Sequence, residues 1–164
     1  MKNELKTYGN NNTVSNCIFN NSCTTIQSNY SEFQYNIGNS SVNINGSHNI
    51  INNNTAFYNI NIDSGFYNII IYNEHINNIN ISLINANNSE IINNEFYNVS
   101  IYQCFNITFS ENVARNIFIK ESSNNYILSN ICENGNIGIL INSSNNNILY
   151  GNILRDCEYG VYVE

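Results

Sequence analysis

The 164-residue sequence contains no proline and no tryptophan, and its one methionine is at position 1. Because proline cannot donate to a β-ladder, its absence leaves every segment free to pair as a strand. Lysine and arginine number five against twelve acidic residues, which gives a formal net charge of −7. This shortage of basic side chains argues against nucleic acid as a partner and against docking on anionic membranes.

Long apolar runs are also missing. No stretch approaches the ~20 apolar residues of a membrane span, and the first residues, MKNELKTYGNNN, lack the apolar segment of a signal peptide. We therefore expect a cytoplasmic location or, if the chain is part of a longer protein, an extracellular or cell-surface one. The five cysteines are odd in number and form no CxxC pair. We expect buried or half-buried thiols, without a disulfide framework or a zinc site.

Asparagine is abundant, at about a quarter of the chain, and two neighbouring segments are nearly the same. SSNNYILSNICENGNIGILI (residues 122–141) is followed by SSNNNILYGNILRDCEYGVYV (143–163). The comparison aligns Ile127 with Ile148, Asn130 with Asn152 and Gly138 with Gly160. A repeat of about 20 residues cannot bury a core alone, so it must stack on its neighbours.

A strand of the form Asn-apolar-x-apolar recurs along most of the chain. Its copies begin at Ser41, Asn59, Asn78, Asn98, Asn116 and Asn136. The alternation predicts Ile or Val inside and Asn, Ser or Phe outside. Short strands at this spacing, with no helical pattern between them, predict an all-β fold. We expect a single-stranded right-handed parallel β-helix, a solenoid of about eight coils.

A second column places an aromatic or aliphatic residue three positions before an asparagine. The asparagines expected to form a structural ladder are Asn36, Asn54, Asn94, Asn112, Asn130 and Asn152. In the coil between Asn54 and Asn94, Glu74 takes the aligned position and Asn73 is beside it. Asparagine tolerates the positive φ that tight turns need, and stacked copies can hydrogen-bond along the axis. We expect one domain over residues 1–164, with residues 1–11 as an amino-terminal cap and coils from about 12 to 163.

The segments NNYILSNICENGNIGILI and NNNILYGNILRDCEYGVYV resemble the coils of NosD-like and carbohydrate-binding and sugar-hydrolysis repeats, within the pectate-lyase-like right-handed β-helices. The pattern NNxIxxNxI…GIxI carries the resemblance and is clearest over residues 122–164. The group includes polysaccharide lyases, epimerases, phage tail fibres and adhesin-like surface proteins, so the fold does not fix an activity. The resemblance to NosD also implies a copper site. However, the candidate ligands His48 and His75 lie on different coils, and the cysteines do not align. We expect no metal and no cofactor.

Catalysis by a lyase of this kind would need clustered acidic Ca²⁺ ligands, and the two aspartates, Asp63 and Asp156, lie more than four coils apart. The best local cluster consists of Glu74, His75, Glu95 and Arg115. At an offset of 20 residues His75 aligns with Glu95, so their side chains are expected one coil apart. The cluster is then either an acid–base group or an exposed edge whose charges keep the protein soluble. We favour the second interpretation and expect no catalytic residues.

Polar side chains are expected to form a rank on one outer face. Its members are Asn43, Asn61, Asn80 and Ser100. The rank either binds sugar hydroxyls, with Asn61 and Asn80 as ligand-facing residues, or only stays solvated. The expected function is a non-catalytic structural or adhesive module of a surface or filament-forming protein. The alternative is a carbohydrate-binding or polysaccharide-active domain of the same fold.

The carboxyl end stops inside a predicted strand, YGVYVE, with Val161 and Val163 facing the core and Glu164 as the last residue. Exposed strand edges promote association unless they are capped. We expect this coil to be covered by another copy of the chain, end to end, or by sequence beyond residue 164. Polysaccharide is the other partner considered.

Overall fold

The structure is a computed structural model that describes residues 4–20, 23–55, 57–74 and 80–164. The described residues form parallel strands joined by turns and contain no helix. No helix that could cross a membrane is therefore found in this part of the chain. The parallel β-solenoid of about eight turns predicted from the repeat is confirmed.

Within the described residues, nine strands pair in parallel along one side of the solenoid. They are β1 (Glu4–Tyr8), β4 (Cys23–Gln27), β7 (Ser41–Ile44), β9 (Asn59–Ile62), β12 (Asn80–Ile84), β15 (Asn98–Tyr102), β18 (Asn116–Lys120), β21 (Ile137–Asn142) and β24 (Tyr159–Val163). This nine-stranded sheet carries the Asn-apolar-x-apolar motif. The parallel stack also includes residues 4–8, within the segment expected as a cap.

A second side, in the described residues, is an eight-stranded parallel sheet. Its strands are β2 (Thr13–Ser15), β5 (Glu32–Gln34), β8 (Ile50–Asn52), β11 (Ile69–Ile71), β14 (Glu90–Ile92), β16 (Thr108–Ser110), β19 (Tyr126–Leu128) and β22 (Ile148–Tyr150). Shorter pairings complete the coils. They join β3 (Ile18–Phe19) with β6 (Ile37–Gly38), β10 (Gly65–Phe66) with β13 (Ala86–Asn87), and β17 (Val113–Ala114) with β20 (Ile131–Glu133) and β23 (Ile153–Arg155).

Columns of apolar side chains fill the interior between these sheets. Three of them are Val42, Ile60, Ile81, Val99, Ile117 and Ile139; Ile44, Ile62, Leu83, Ile101 and Ile119; and Phe33, Ile51, Ile70, Ile91, Phe109 and Ile127. None of these side chains is more than 1% exposed. Burial of each stabilises the fold by about 1.5–3 kcal/mol, so the predicted inward and outward faces are confirmed.

Two strand registers differ from the prediction. Asn59 pairs with Asn80, two residues after the predicted partner Asn78, which lies outside the described residues. Ile117 pairs with Ile139, again two residues later than predicted. A shift of two residues leaves the inward and outward faces of a strand unchanged, so the alternation of apolar and polar residues did not separate the two registers.

The alignment of the two carboxyl-terminal repeats is also corrected at one position. Ile127 pairs with Leu149, whereas Ile148 pairs with Tyr126 and is exposed. The predicted pairing would have turned an outward residue inward, because a shift of one residue reverses the face.

One corner, which follows the eight-stranded sheet, carries the predicted ladder. Its inward residues are Cys17, Asn36, Asn54, Asn73, Asn94, Asn112, Asn130 and Asn152, and we call them the amide corner. The Asn112 backbone N–H and Nδ2 both donate to Asn130 Oδ1, at 2.9 and 3.2 Å. Asn112 Nδ2 also donates to Ile91 O at 2.8 Å. Hydrogen-bonded stacking of asparagines is therefore confirmed.

The amide corner corrects two details of the prediction. Asn73, and not Glu74, fills the place between Asn54 and Asn94, with Nδ2–Oδ1 distances of 3.0 and 2.9 Å to them. The positive φ belongs to the residue just before each ladder position, for example Glu111 at 56°. The ladder side chain and the left-handed backbone are thus neighbours in sequence and not the same residue.

A second corner, which precedes the eight-stranded sheet, has the same backbone but a mixed set of side chains. Its inward residues are Asn12, Ser31, Asn49, Asn68, Ser89, Ile107, Asn125 and Asn147, and we call them the mixed corner. Here too the preceding residue is left-handed, for example Asn106 at 58°. This corner was not predicted from the sequence.

The carboxyl-terminal coil leaves its inward residues open. Val161 pairs with Ile139 and Val163 with Ile141, so both valines continue core columns as predicted. They are nevertheless 48% and 68% exposed, whereas Ile139 is 0% exposed. The difference arises because no described residue lies on the far side of this coil.

Candidate functional site

The predicted charged cluster is only partly brought together. Asn73 donates from its backbone N–H to Asn94 Oδ1 across neighbouring coils, so the following residues, Glu74 and Glu95, occupy the same column one coil apart. His75 lies outside the described residues. Two carboxylates at neighbouring positions repel each other, and this column by itself supplies no positive partner for them.

Arg115 is already engaged by its neighbours. Its guanidinium donates to Tyr97 Oη and to Asn134 O, and its Cζ lies 5.1 Å from the centre of the Tyr97 ring. Glu95 and Arg115 line one shallow cavity of about 300 Å³ together with Tyr97 and Glu133. Arg115 is therefore held by an aromatic ring and a carbonyl, and its role in catalysis stays a hypothesis.

The outer polar rank exists with one member exchanged. In register along the nine-stranded sheet stand Asn43, Asn61, Ser82 and Ser100. Asn80 lies instead in the flanking column, between Asn59 and Asn98, and is exposed. The two-residue register shift at β12 accounts for this exchange.

Two concave regions occupy this outer face, and neither was predicted. A polar cleft of about 400 Å³ is lined by Thr25, Asn43, Asn45, Asn61, Ile62, Asp63, Ser82 and Ile84. An apolar groove of about 420 Å³ is lined by Ser100, Tyr102, Phe118, Ile119, Lys120, Leu140 and Asn142. The polar cleft and the apolar groove are adjacent along the sheet, because Ser82 of the cleft pairs with Ser100 of the groove and Ile84 pairs with Tyr102.

The apolar groove has charged groups at its rim. Lys120 Nζ lies 6.0 Å from the centre of the Tyr102 ring. A hydrogen bond from the Tyr102 hydroxyl to Glu121 raises the pKa of Tyr102, because the neighbouring carboxylate favours the protonated phenol. Glu121 also accepts from Gln103 Nε2 at 3.1 Å. The rim can therefore offer both a cation and hydrogen-bonding groups to a ligand.

An exposed column of rings was missed by the sequence analysis. His48 stacks on Tyr30 with a centroid distance of 4.5 Å and packs against Tyr67 at 5.1 Å. All three residues have positive φ, which is uncommon for bulky side chains. His48 entered the sequence analysis only as a candidate copper ligand, and its ring neighbours were not identified there. Its spacing of 18 and 19 residues from the two tyrosines matches the coil length and is the signal that could have revealed the stack.

The cysteines show neither a disulfide nor a metal cluster within the described residues. Cys104 and Cys132 are buried, Cys23 and Cys157 are half-buried, and Cys17 is exposed, contrary to the expectation. Burial raises the pKa of the Cys104 thiol to about 11 and that of Cys132 to about 12. A nucleophilic cysteine needs a lowered pKa, so these two thiols are inert.

Comparisons with protein-family models, with curated proteins and with solved structures find no match to this chain. The fold itself defines the class. The chain is a parallel β-solenoid of about eight turns with asparagine side chains hydrogen-bonded along its axis.

Proposed function

We propose that the chain is a non-catalytic structural or adhesive module of a surface or filament-forming protein, and that it associates end to end through its carboxyl-terminal coil. The observation that carries this proposal is the exposure of Val161 and Val163, which continue columns that are buried at Ile139 and Ile119 and half-buried at Ile141. Covering two such half-exposed side chains favours association by about 1 kcal/mol each, roughly half the gain of burying a fully exposed one.

Backbone groups add to this tendency. The outer edge of β24 has no strand beside it among the described residues, and neither have the edges of β22 and β23. Unpaired parallel edges act as templates for further strands. A second copy that supplies strands at the spacing of about 4.8 Å would continue both the ladder and the core.

The charged side chains support the non-catalytic part of the proposal. Glycosidase chemistry needs two carboxylates on opposite sides of a cleft, about 5–9.5 Å apart. Glu74 and Glu95 instead follow each other in one column, and Arg115 contacts Tyr97 and Asn134. These groups suit a solvated edge.

We further propose that the chain groups with the pectate-lyase-like right-handed β-helices, near the NosD-like repeats and the adhesin-like surface proteins. The repeated pattern of the carboxyl-terminal coils supports this grouping, because its asparagine and isoleucine positions coincide with Asn130 of the amide corner and with the buried columns of Ile127 and Ile139. A location at the cell surface is part of the same proposal.

Light scattering over a concentration series tests the proposal. We expect the mass of the wild-type protein to rise with concentration, and we expect the double variant Val161→Lys, Val163→Lys to stay monomeric, because buried ammonium groups oppose stacking. Phe66→Lys is the matched control, since Phe66 is 49% exposed but lies at a lateral corner. A wild-type protein that remains monomeric at every concentration, with its last coil protected from hydrogen exchange, would overturn the proposal.

Carbohydrate binding is the second candidate function, and the apolar groove favours it. Ligand sites are commonly lined by aromatic and aliphatic side chains with a few polar groups that fix orientation. Tyr102, Phe118 and Leu140 supply the first kind, and Lys120 and Asn142 the second. Neutral and uronate oligosaccharides should be assayed for binding and for cleavage. Binding that Phe118→Ser abolishes and Phe66→Ser retains would support this candidate, and cleavage would replace the non-catalytic proposal.

A further inference from the structure

The polar cleft on the amino-terminal half of the nine-stranded sheet presents hydrogen-bond acceptors. Asn61 Nδ2 donates to Asn43 Oδ1 at 2.8 Å, and Asn43 Nδ2 donates to Cys23 Sγ at 3.1 Å. Each amide group thus uses one of its two N–H donors on a residue of an earlier coil. Asn61 Oδ1 receives no hydrogen bond from a described residue, so this end of the amide chain presents an acceptor.

Asp63 adds a negative charge to the same cleft. It directly follows β9, where its backbone N–H donates to Ile44 O at 3.2 Å and its side chain is exposed. The carboxylate forms no ion pair with a described residue. Two cations stand on this face: Lys6 is three coils from Asn61 through Thr25 and Asn43, and Lys120 is three coils from Asp63 on the other side through Ile84 and Tyr102. That separation is about 14 Å along the axis, beyond the ~10 Å Debye length of dilute salt.

Two further groups fit the same description. Asn45 Oδ1, in the wall beside Asp63, is buried and has no hydrogen-bond partner in the described part of the chain. Ser82, in the floor beside Asn61, carries a hydroxyl that can accept as well as donate. Asn45 Oδ1 is closed off from the cleft surface, so the oxygens open to a ligand are those of Asp63, Asn61 and Ser82, and they favour a ligand rich in donors.

We propose that this cleft binds an amine-bearing polyol, a ligand with a primary ammonium group next to hydroxyl groups, such as a glucosamine unit. Asp63 is the counter-ion of the ammonium, and Asn61 Oδ1 and the Ser82 hydroxyl accept from the neighbouring hydroxyls. The volume of about 400 Å³ lies within the range of small-molecule sites. This site lies on the flank of the solenoid, so the inference does not depend on end-to-end association.

Three matched sugars test the chemistry by calorimetric titration. Glucosamine carries the ammonium, N-acetylglucosamine has a neutral amide in its place, and glucose has a hydroxyl. We expect glucosamine to bind at least about fivefold more tightly than the other two at low salt, and this preference to shrink as salt rises. A chitosan oligomer in a parallel titration distinguishes a free sugar from a unit of a polymer.

Variants test whether the preference for glucosamine arises at the polar cleft. Asp63→Asn should lower glucosamine affinity by about fivefold and leave glucose unaffected, and Asn61→Leu should weaken both. Asp156→Asn is the control, because Asp156 is the other aspartate and lies at a turn far along the chain. Equal affinity for the three sugars, no binding of glucosamine, or glucosamine binding that Asp63→Asn does not change would each overturn the proposal.

Discussion

The amide corner and the mixed corner place the same backbone in two different side-chain settings. In both, a left-handed residue precedes an inward residue in each coil, as Glu111 precedes Asn112 and Asn106 precedes Ile107. The amide corner has asparagine in seven of its eight named positions, whereas the mixed corner has serine at Ser31 and Ser89 and isoleucine at Ile107.

The comparison separates two roles that sequence reasoning had merged. The left-handed turn forms with tyrosine, histidine, glutamate or serine as well as asparagine, so it does not require the amide. The amide is needed for the hydrogen bonds between coils. Ile107 stands at a position where most coils have an asparagine amide, and no described residue accepts a hydrogen bond from the Ser89 N–H. Burial of the Ile107 side chain compensates for this missing hydrogen bond.

Truncation of Ile107 should give the largest effect. Ile107 is 0% exposed, and Ile107→Ala should lower the free energy of unfolding by about 2–5 kcal/mol. Ile107→Asn should cost less than the alanine variant, because its Oδ1 can accept from the Ser89 N–H and extend the ladder. Urea unfolding measures both. An asparagine variant no more stable than the alanine variant would mean that the two corners are not interchangeable.

Removal of a ladder amide should have the next largest effect. Asn112→Leu breaks four hydrogen bonds and leaves the Asn94 N–H and Ile91 O without these partners, whereas Asn94 Nδ2 keeps its bonds to Ile70 O and Ile92 O. The expected cost is about 1–3 kcal/mol in thermal or urea unfolding.

The matched variant at the mixed corner is Asn49→Leu. It breaks two hydrogen bonds, those of the Ser31 N–H and Ser28 O, against four in Asn112→Leu, so its cost should be smaller. Unchanged unfolding of Asn112→Leu would show that Asn112 does not belong to a buried ladder.

Alkaline pH should lower the stability of the fold through two buried thiols, one beside each corner. Burial raises the pKa of Cys104 to about 11, and its carbonyl accepts from Asn125 of the mixed corner. Burial raises the pKa of Cys132, next to the amide corner, to about 12. Above pH 9 the folded state binds more protons than the unfolded state, so stability is full below that pH and falls as pH rises toward 11.

Cys104→Ala isolates the contribution of the mixed corner. Between pH 8 and pH 10 the wild type should lose about 1 kcal/mol more stability than this variant. Thermal unfolding at both pH values gives the difference. An identical pH dependence in the two proteins would contradict the assignment of the raised pKa to burial of Cys104.

The smallest effect is expected from the charged cluster predicted from the sequence. A variant with alanine at Glu74, His75, Glu95 and Arg115 should keep the fold and every binding property, within about 0.5 kcal/mol of stability. Circular dichroism and the oligosaccharide assays check this. Loss of a polysaccharide-cleaving activity in this variant would overturn the non-catalytic proposal.

The sequence predicted the coil count and the buried columns but not every register. Two-residue shifts at Asn80 and Ile139 preserve the alternation that was used to align the coils.

The candidate site was predicted less well. Asn61 and Asp63 share a face because they are two residues apart in one extended segment, but only the pairing of β7, β9 and β12 places Asn43 and Ser82 beside them. Asp63 appeared in the sequence only as an isolated aspartate.

The sequence by itself determined the solenoid, because a period of about 20 residues with inward isoleucines can bury a core only by stacking. It also determined the ladder, since asparagines at that period meet in register. Tertiary structure decided which residues share a coil level. It placed Asn73 in the ladder, Ser82 in the outer rank and His48 between two tyrosines. The physical reason is that the coils differ in length and the extra residues are accommodated at corners. Only the packing of each coil against its neighbours determines at which corner they lie.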